Sequence, residues 1–165
     1  MKLTYIVVVW GLFMAFDATA QSVEDRLAII ETASQLDTAV DAKDWTAVEG
    51  LFADRVTFVF GQGEPRQMSG SEIAALWAAN LYAEKTSFHL RGDHVVVFEG
   101  SDRGTLYSKA YAWNRLEGLP GGDLYEVWGD YTYDVVRHGG TWRITRFAFQ
   151  PRLERGNTDL PGYRP

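Results

Sequence analysis

The order of hydrophobic patterns along this 165-residue chain predicts an α+β fold, because helical patterns come first and long strands follow. Apolar residues recur every three to four positions from Leu27 to Val40 and again from Ile73 to Leu81, which is the spacing of amphipathic helices. From about residue 86 the chain is rich in β-branched and aromatic residues. No crossover helix separates these later strands, so we expect a mostly antiparallel sheet. A strongly curved sheet packed on N-terminal helices would form a cone around one apolar pocket.

The first 20 residues have the pattern of a secretion signal. Basic Lys2 precedes an apolar run over residues 3–16, and Ala18-Thr19-Ala20 matches the small-residue site of signal peptidase. A retained membrane anchor is the alternative, but the run is short for a span of about 20 residues. We therefore expect cleavage before Gln21 and a periplasmic or secreted protein.

Composition and charge exclude several classes of partner and chemistry. The chain has no cysteine, so it forms no disulfide and offers neither a thiol nor a Cys-based metal site. Its net charge is −6 at pH 7 and its Lys and Arg residues do not cluster, which argues against nucleic acid and anionic membranes as partners. We expect one domain over residues 21–151, followed by a flexible tail over 152–165 that is loosely held or wraps the surface.

Three helices are expected in the first half of the chain. Ser22 is placed to cap the first, and Asp44 to cap a second helix over Trp45 to Phe52. The third opens at Ser69. In the first helix Asp37 and Asp41 lie one turn apart on the flank of the buried face. The buried faces of the first and third helices are expected to comprise Leu27, Ile30, Ala33, Leu36 and Val40, and Ile73, Leu76, Trp77 and Leu81, respectively.

The strands follow from β-rich runs bounded by turn residues. A first strand is expected over residues 55–61, and Gly92 is expected to interrupt the next one. His138-Gly139-Gly140 has the composition of a hairpin turn. The remaining strands are expected over residues 88–91, 94–98, 104–116, 124–137 and 141–150.

Alternation along two strands assigns the faces of the sheet. Tyr131, Tyr133 and Val135 are expected to face the core, and Asp130, Thr132 and Asp134 the solvent. In the neighbouring strand one face is small, which leaves room for a pocket, and comprises Ser108, Ala110, Ala112 and Asn114. The other face is bulky and comprises Tyr107, Tyr111 and Trp113. An exposed aromatic row favours an oligomer contact, although the tail or neighbouring side chains are an alternative cover.

Several segments, taken together in their order, resemble the SnoaL-like branch of the NTF2-like superfamily. The likeness extends from about Val23 to Pro151 and implies a cone-shaped α+β barrel with one deep pocket, commonly dimeric or trimeric. Members include dehydratases, dehydrochlorinases, isomerases, cyclases and proteins without known activity. The segments are Val40-Asp41-Ala42-Lys43-Asp44-Trp45, Leu51-Phe52-Ala53-Asp54, Phe88-His89-Leu90-Arg91-Gly92-Asp93 and Gly140-Thr141-Trp142-Arg143-Ile144.

Within that superfamily the chain is most similar to the scytalone dehydratase group, whose acid/base pair is an aspartate and a histidine. Asp41 and His89 match those two positions. The chain departs from the group at three others: Asn114 replaces a second catalytic histidine, Val40 replaces a tyrosine, and a pocket asparagine falls near Tyr131. The ketosteroid isomerase pattern fits worse, because its tyrosine and its base aspartate correspond to Leu36 and Phe60 here.

The side chains of Asp41 and His89 are also chemically suited to act together as an acid/base pair. A buried aspartate that accepts a hydrogen bond from one imidazole nitrogen fixes the tautomer and raises the basicity of the other nitrogen. Such a base suits proton removal next to a carbonyl, and no metal or cofactor is required. A satisfied polar pair in the core is the alternative. Side chains expected to contact a substrate are Asn114, Tyr131, Tyr133, Phe58, Phe60 and Trp77, whereas His94 and His138 are expected at the surface.

Three functions therefore remain open. The first is a secreted lyase or isomerase acting on a small, largely apolar molecule, with His89 as base and Asp41 as its orienter. The second is a non-catalytic binder of a small hydrophobic ligand. The third is a protein-interaction module that uses the outer face of the sheet.

Overall fold

The computed structural model describes residues 22–164 and has the predicted α+β architecture, with helices packed on a six-stranded sheet. Both the expected signal segment and its cleavage site lie outside the described residues. The elements are α1 (Val23–Ala42), α2 (Trp45–Gly50), β1 (Phe52–Phe60), β2 (Arg66–Met68), α3 (Gly70–Asn80), β3 (Thr86–Glu99), β4 (Arg103–Arg115), β5 (Leu124–His138) and β6 (Thr141–Gly156).

The sheet is open and mixed, with strand order β2-β1-β6-β5-β4-β3. All neighbouring strands pair antiparallel except β1 and β6, which pair in parallel. This parallel pair arises because the chain leaves β1 through β2 and α3, and returns beside it only after the β3–β5 meander. The expectation of a mostly antiparallel sheet is confirmed.

The predicted helix caps are present. The Ser22 hydroxyl accepts from the Asp25 amide at 3.0 Å, and the Asp44 carboxylate accepts from the Ala47 amide at 3.0 Å. Ser69 and Glu72 form a reciprocal capping box at the start of α3. The predicted end of α2 at Phe52 is wrong: α2 ends at Gly50, and Phe52 begins β1 with its ring buried.

The buried face of α1 differs from the predicted one at its first position. Leu27, expected in the core, is largely exposed, and Ile29, two residues later, is fully buried instead. Ala33, Leu36 and Val40 are buried as expected. Within the described residues no helix is long and apolar enough to cross a membrane.

A β-bulge, and not a break, lies at Gly92. β3 runs unbroken from Thr86 to Glu99, with a register shift between Gly92 and Val95 and a left-handed backbone at Asp93 (φ 55°). The extra residue reverses the alternation, so Val96 faces the core in the second half of the strand. The same shift turns His94 inward, and the prediction that His94 lies at the surface is wrong: it is half-buried, with Nε2 inaccessible to solvent. His138 is exposed as predicted.

The C-terminal segment is anchored and not loosely held. β6 continues to Gly156, past the boundary expected at residue 151, and Leu160 is fully buried. Lys85, also fully buried, donates hydrogen bonds from Nζ to the backbone oxygens of Leu160, Pro161 and Tyr163 at 3.0, 3.3 and 3.1 Å. A single side chain thus ties the tail to the start of β3.

The assignment of sheet faces is confirmed. Tyr131, Tyr133 and Val135 are buried, as are the small residues Ser108, Ala110 and Ala112 beside them. The opposite face of β4 is bulky, as predicted. Tyr107 is exposed there. Trp113 stacks on Phe88, with ring centroids 5.9 Å apart, and Tyr111 packs at a tilt against Trp128, with ring centroids 4.9 Å apart.

Candidate functional site

Asp41 and His89 are in direct contact where the last turn of α1 crosses β3. The Asp41 Oδ1 atom lies 2.7 Å from His89 Nδ1, and Asp41 Oδ2 accepts the His89 backbone amide at 2.8 Å. The Ser87 hydroxyl donates to Oδ1 at 2.8 Å. Three donors from one strand therefore hold both oxygens of a single carboxylate, which fixes the orientation of the imidazole.

The pair lies at the edge of the interior and is partly accessible. The side chains of His89 and Asp41 are 17% and 23% exposed. Burial alone would raise the pKa of Asp41, but the hydrogen bond and charge of His89 and the Ser87 hydroxyl outweigh it and lower that pKa. Asp41 is therefore a carboxylate, and His89 Nδ1 is the donor between them. His89 Nε2 makes no hydrogen bond to any described residue, so it remains available as an acceptor.

A second acid–base pair lies one helical turn away and was not predicted from the sequence. Arg91 binds Asp37 through two parallel hydrogen bonds, Nε to Oδ2 at 2.8 Å and a terminal nitrogen to Oδ1 at 2.5 Å. The side chains of Arg91 and Asp37 are only 3% and 12% exposed. Arg91 also donates to the Ser108 hydroxyl at 3.1 Å, and its guanidinium lies 4.1 Å from the ring centre of Tyr131.

Spacing in the sequence contains the signal for this second pair. Asp37 and Asp41 are four residues apart on a helix, and His89 and Arg91 are two residues apart on one face of a strand. Each spacing corresponds to about 6 Å along its element. The two aspartates on α1 can therefore contact the two basic residues on β3 at the same time, Asp41 with His89 and Asp37 with Arg91. Matching the spacing of the two aspartates to the spacing of the two basic residues would have predicted the contact between Arg91 and Asp37. Pairing one aspartate with one histidine misses it.

The residues expected to contact a substrate fall into two groups. Asn114 lies on the inner face of β4 directly beside Ser87, and Ala112 lies beside His89. The Asn114 side chain makes no hydrogen bond to any described residue, so it is a free polar group close to the pair. Tyr131 and Tyr133 lie further along, against Arg91. Burial raises the pKa of both tyrosines and outweighs the positive charge of Arg91, which alone would lower that pKa. Their hydroxyls therefore stay neutral.

The aromatic side chains expected to contact a substrate pack against core rings. Phe58 and Trp77 both pack on Phe147, with ring centroids 5.1 and 5.2 Å apart, and Tyr131 meets the same ring at 5.6 Å. Phe60, at the end of β1, is more than half exposed and packs on Phe149. Phe58 and Trp77 thus pack on one core ring and Phe60 lies at the exposed edge of the core, and their contact with a substrate stays a prediction.

Two concavities lie elsewhere on the molecule. One of about 470 Å³ crosses the outer face of the sheet, and one of about 430 Å³ lies between α1 and α2. Neither is lined by Asp41 or His89. Over residues 22–164 no group of three or more His, Asp or Glu side chains is arranged to hold a metal ion.

Comparison with protein families places the chain in a known group. Residues 21–148 match the SnoaL-like domain family. The comparison with curated proteins finds no match.

Solved structures share the fold at low sequence identity. The Kfla4162 protein from Kribbella flavida is 24% identical, with a TM-score of 0.78 over 85% of this chain and 98% of that one. A protein from Novosphingobium aromaticivorans, described as a candidate scytalone dehydratase, is 13% identical, with a TM-score of 0.75 over 84% and 91%. Hexachlorocyclohexane dehydrochlorinase LinA-type3 from Novosphingobium barchaimii is 17% identical, with a TM-score of 0.69 over 82% and 91%. Dehydratase-type and dehydrochlorinase-type proteins are thus among its structural neighbours.

Proposed function

The chain belongs to the SnoaL-like domain family, and on that premise we propose that it is a lyase or isomerase that needs no metal or cofactor. Its substrate is a small, largely apolar molecule with an acidic C–H bond. His89 is the general base and Asp41 orients it. The observation that carries this proposal is the 2.7 Å contact between Asp41 and His89 Nδ1, which leaves Nε2 without a partner among the described residues.

The proposed reaction begins with proton removal. His89 Nε2 takes a proton from the carbon next to a carbonyl, and the imidazolium that forms is stabilised by the Asp41 carboxylate. In a lyase the electron pair left on carbon forms a double bond as the neighbouring carbon loses either a halide ion or a hydroxyl, and the hydroxyl takes the proton back from the imidazolium and leaves as water. In an isomerase the proton returns at another carbon. The Asn114 amide is the proposed donor to the substrate carbonyl as negative charge develops; support for this is that Asn114 pairs with Ser87 in the sheet and its side chain makes no hydrogen bond to a described residue.

A non-catalytic binder of a small hydrophobic ligand is the second candidate. The observation that favours it is that neither described concavity is lined by the Asp41–His89 pair. In that case the pair only joins α1 to β3, and substitutions in the aromatic core change affinity more than substitutions of His89 do.

We also propose that the protein acts outside the cytoplasm and associates with itself. Support for export is the signal pattern of residues 1–20. Support for self-association is the aromatic row on the outer sheet face, where Phe88 and Trp113 stack at 5.9 Å and Phe88 is exposed. A protein-interaction module would use this same face.

Solvent deuterium exchange tests the catalytic proposal even while the substrate is unidentified. The protein is incubated in D₂O with a panel of small cyclic ketones, β-hydroxy ketones and β-chloro ketones, and proton NMR follows deuterium incorporation and elimination. Because each reaction class begins with the same proton transfer, one active compound is expected to show exchange, elimination or both.

Variants of Asp41 and His89 test whether this pair catalyses the deuterium exchange. His89→Ala and Asp41→Asn are expected to reduce exchange by at least roughly 100-fold, the scale of a general base. His138→Ala is the matched control because His138 is exposed and distant in sequence from the pair. Exchange that survives His89→Ala, or a panel on which the wild type is inactive but binds tightly, would favour the binder.

A further inference from the structure

A groove of about 470 Å³ runs across the outer face of the sheet, on the side opposite the helices. Outward-facing side chains of β1, β4, β5 and β6 form its floor, with Val59, Tyr107, Thr132 and Ala148 on one row of the sheet. The volume falls within the range of small-molecule sites, and most of this row is apolar. Neither Asp41 nor His89 lines the groove.

Most charges in the groove are already neutralised by neighbours. Lys109 is paired with Asp93 at 2.8 Å, and Arg152 with Asp130 at 2.6 Å. Arg146 is the other cation that lines the groove. No ion pair joins it to a described residue, and its Nε is buried without a hydrogen-bond partner.

The acid nearest to Arg146 in the sheet register does not neutralise it. Asp134 is the cross-strand partner of Arg146 on β5. The Asp134 carboxylate accepts the Thr105 hydroxyl at 2.9 Å and makes no described ion pair with Arg146. The two terminal nitrogens of Arg146 make no hydrogen bond or ion pair with a described residue and, unlike Nε, are not closed off from solvent, so an acceptor from outside the chain can reach them.

We infer that this groove is a second binding site, specific for a small aromatic carboxylate. The carboxylate accepts from Arg146, for which the planar guanidinium offers two parallel donors. The ring packs on exposed Tyr107 and on the apolar side chains Val59 and Ala148. The site is independent of the reaction proposed for Asp41 and His89, because those residues lie on the other face of the sheet.

Benzoate is the probe, and its neutral isostere benzamide is the ligand control. Benzoate is titrated into ¹⁵N-labelled protein while backbone amide shifts report where it binds. We expect saturable shifts at Val59 and Ala148, and affinity for benzamide at least roughly tenfold weaker, as expected for loss of a charge-assisted pair. Arg146→Gln should weaken benzoate binding by a similar factor.

Two further variants test whether benzoate binding depends on the groove alone. Arg143→Gln is the matched control, because Arg143 lies on β6 but does not line the groove, and it should bind benzoate like the wild type. His89→Ala should also bind normally, whether or not the protein is an enzyme. The inference is overturned if benzoate causes no saturable shifts at the groove, if the protein binds benzamide equally well, or if Arg146→Gln binds benzoate as tightly as wild type. It is equally overturned if size-exclusion chromatography shows that Arg146→Gln dissociates an oligomer whose interface fills the groove.

Discussion

Asp37→Asn should destabilise the protein strongly, because it leaves the buried Arg91 charge without its counter-ion. The carboxylate accepts two charge-assisted hydrogen bonds from Arg91, each worth roughly 1.5–3 kcal/mol. The asparagine oxygen restores one neutral bond of about 1 kcal/mol. The free energy of unfolding should therefore fall by about 2–5 kcal/mol, in line with the loss expected when one partner of a buried pair is removed. Equilibrium urea unfolding measures this loss.

Asp93→Asn is the matched control for this experiment. Asp93 lies on the same strand as Arg91, but its pair with Lys109 is exposed, with side chains 65% and 71% accessible. Asparagine also tolerates the left-handed backbone at this position. We expect a loss below about 1 kcal/mol. Similar small losses for Asp37→Asn and Asp93→Asn would refute the reasoning.

A double variant separates the pair from simple damage to packing. Arg91→Met removes the charge that Asp37→Asn leaves unpaired, so Asp37→Asn/Arg91→Met should be more stable than Asp37→Asn alone. If the two losses add instead, the Arg91 charge is not the source of the cost. The remaining contacts of Arg91, with Ser108 and the face of Tyr131, would then be its main role.

Three other predictions concern the tail, acid stability and assembly. Lys85→Met removes three hydrogen bonds to the tail and should cost about 1–3 kcal/mol, with faster hydrogen exchange at Leu160 and unchanged exchange in α1. Because the pKa of Asp41 is lowered in the folded state, its contribution to stability is complete above the unfolded value of about 4 and is lost as the pH falls through the folded value. Urea unfolding of Asp41→Asn should therefore show a weaker loss of stability below about pH 4 than wild type, and an equal loss would contradict this. Trp113→Glu should reduce the mass measured by light scattering and leave the deuterium exchange proposed for His89 unchanged, and an unaltered mass would exclude assembly through this face.

Much of the fold follows from local signals in the sequence. The capping residues Ser22, Asp44 and Ser69 fix the starts of three helices, because each satisfies backbone amides that the helix itself leaves free. Alternation correctly predicts that Tyr131 and Tyr133 lie in the core. The expected contact between Asp41 and His89 is present in the structure, although their role in catalysis stays a prediction.

The features that sequence patterns missed depend on tertiary contacts. The bulge at Asp93 inverts the alternation of β3, and no composition signal distinguishes it from the expected break at Gly92. The buried Arg91 is tolerated only because Asp37 meets it from a distant helix. The tail is anchored by Lys85, a residue type that composition assigns to the surface. Each of these three outcomes is decided by contacts that form only in the folded chain.

The tautomer of His89 tests most directly whether Asp41 prepares it to act as a base. Ring nitrogen shifts of selectively ¹⁵N-labelled protein, assigned by comparison with His89→Ala and recorded where the ring is neutral, distinguish the two forms. The 2.7 Å contact with a carboxylate at Asp41 predicts a proton on Nδ1 and a bare Nε2. A neutral ring protonated on Nε2 would contradict the proposal, because the nitrogen meant to accept the substrate proton would already carry one.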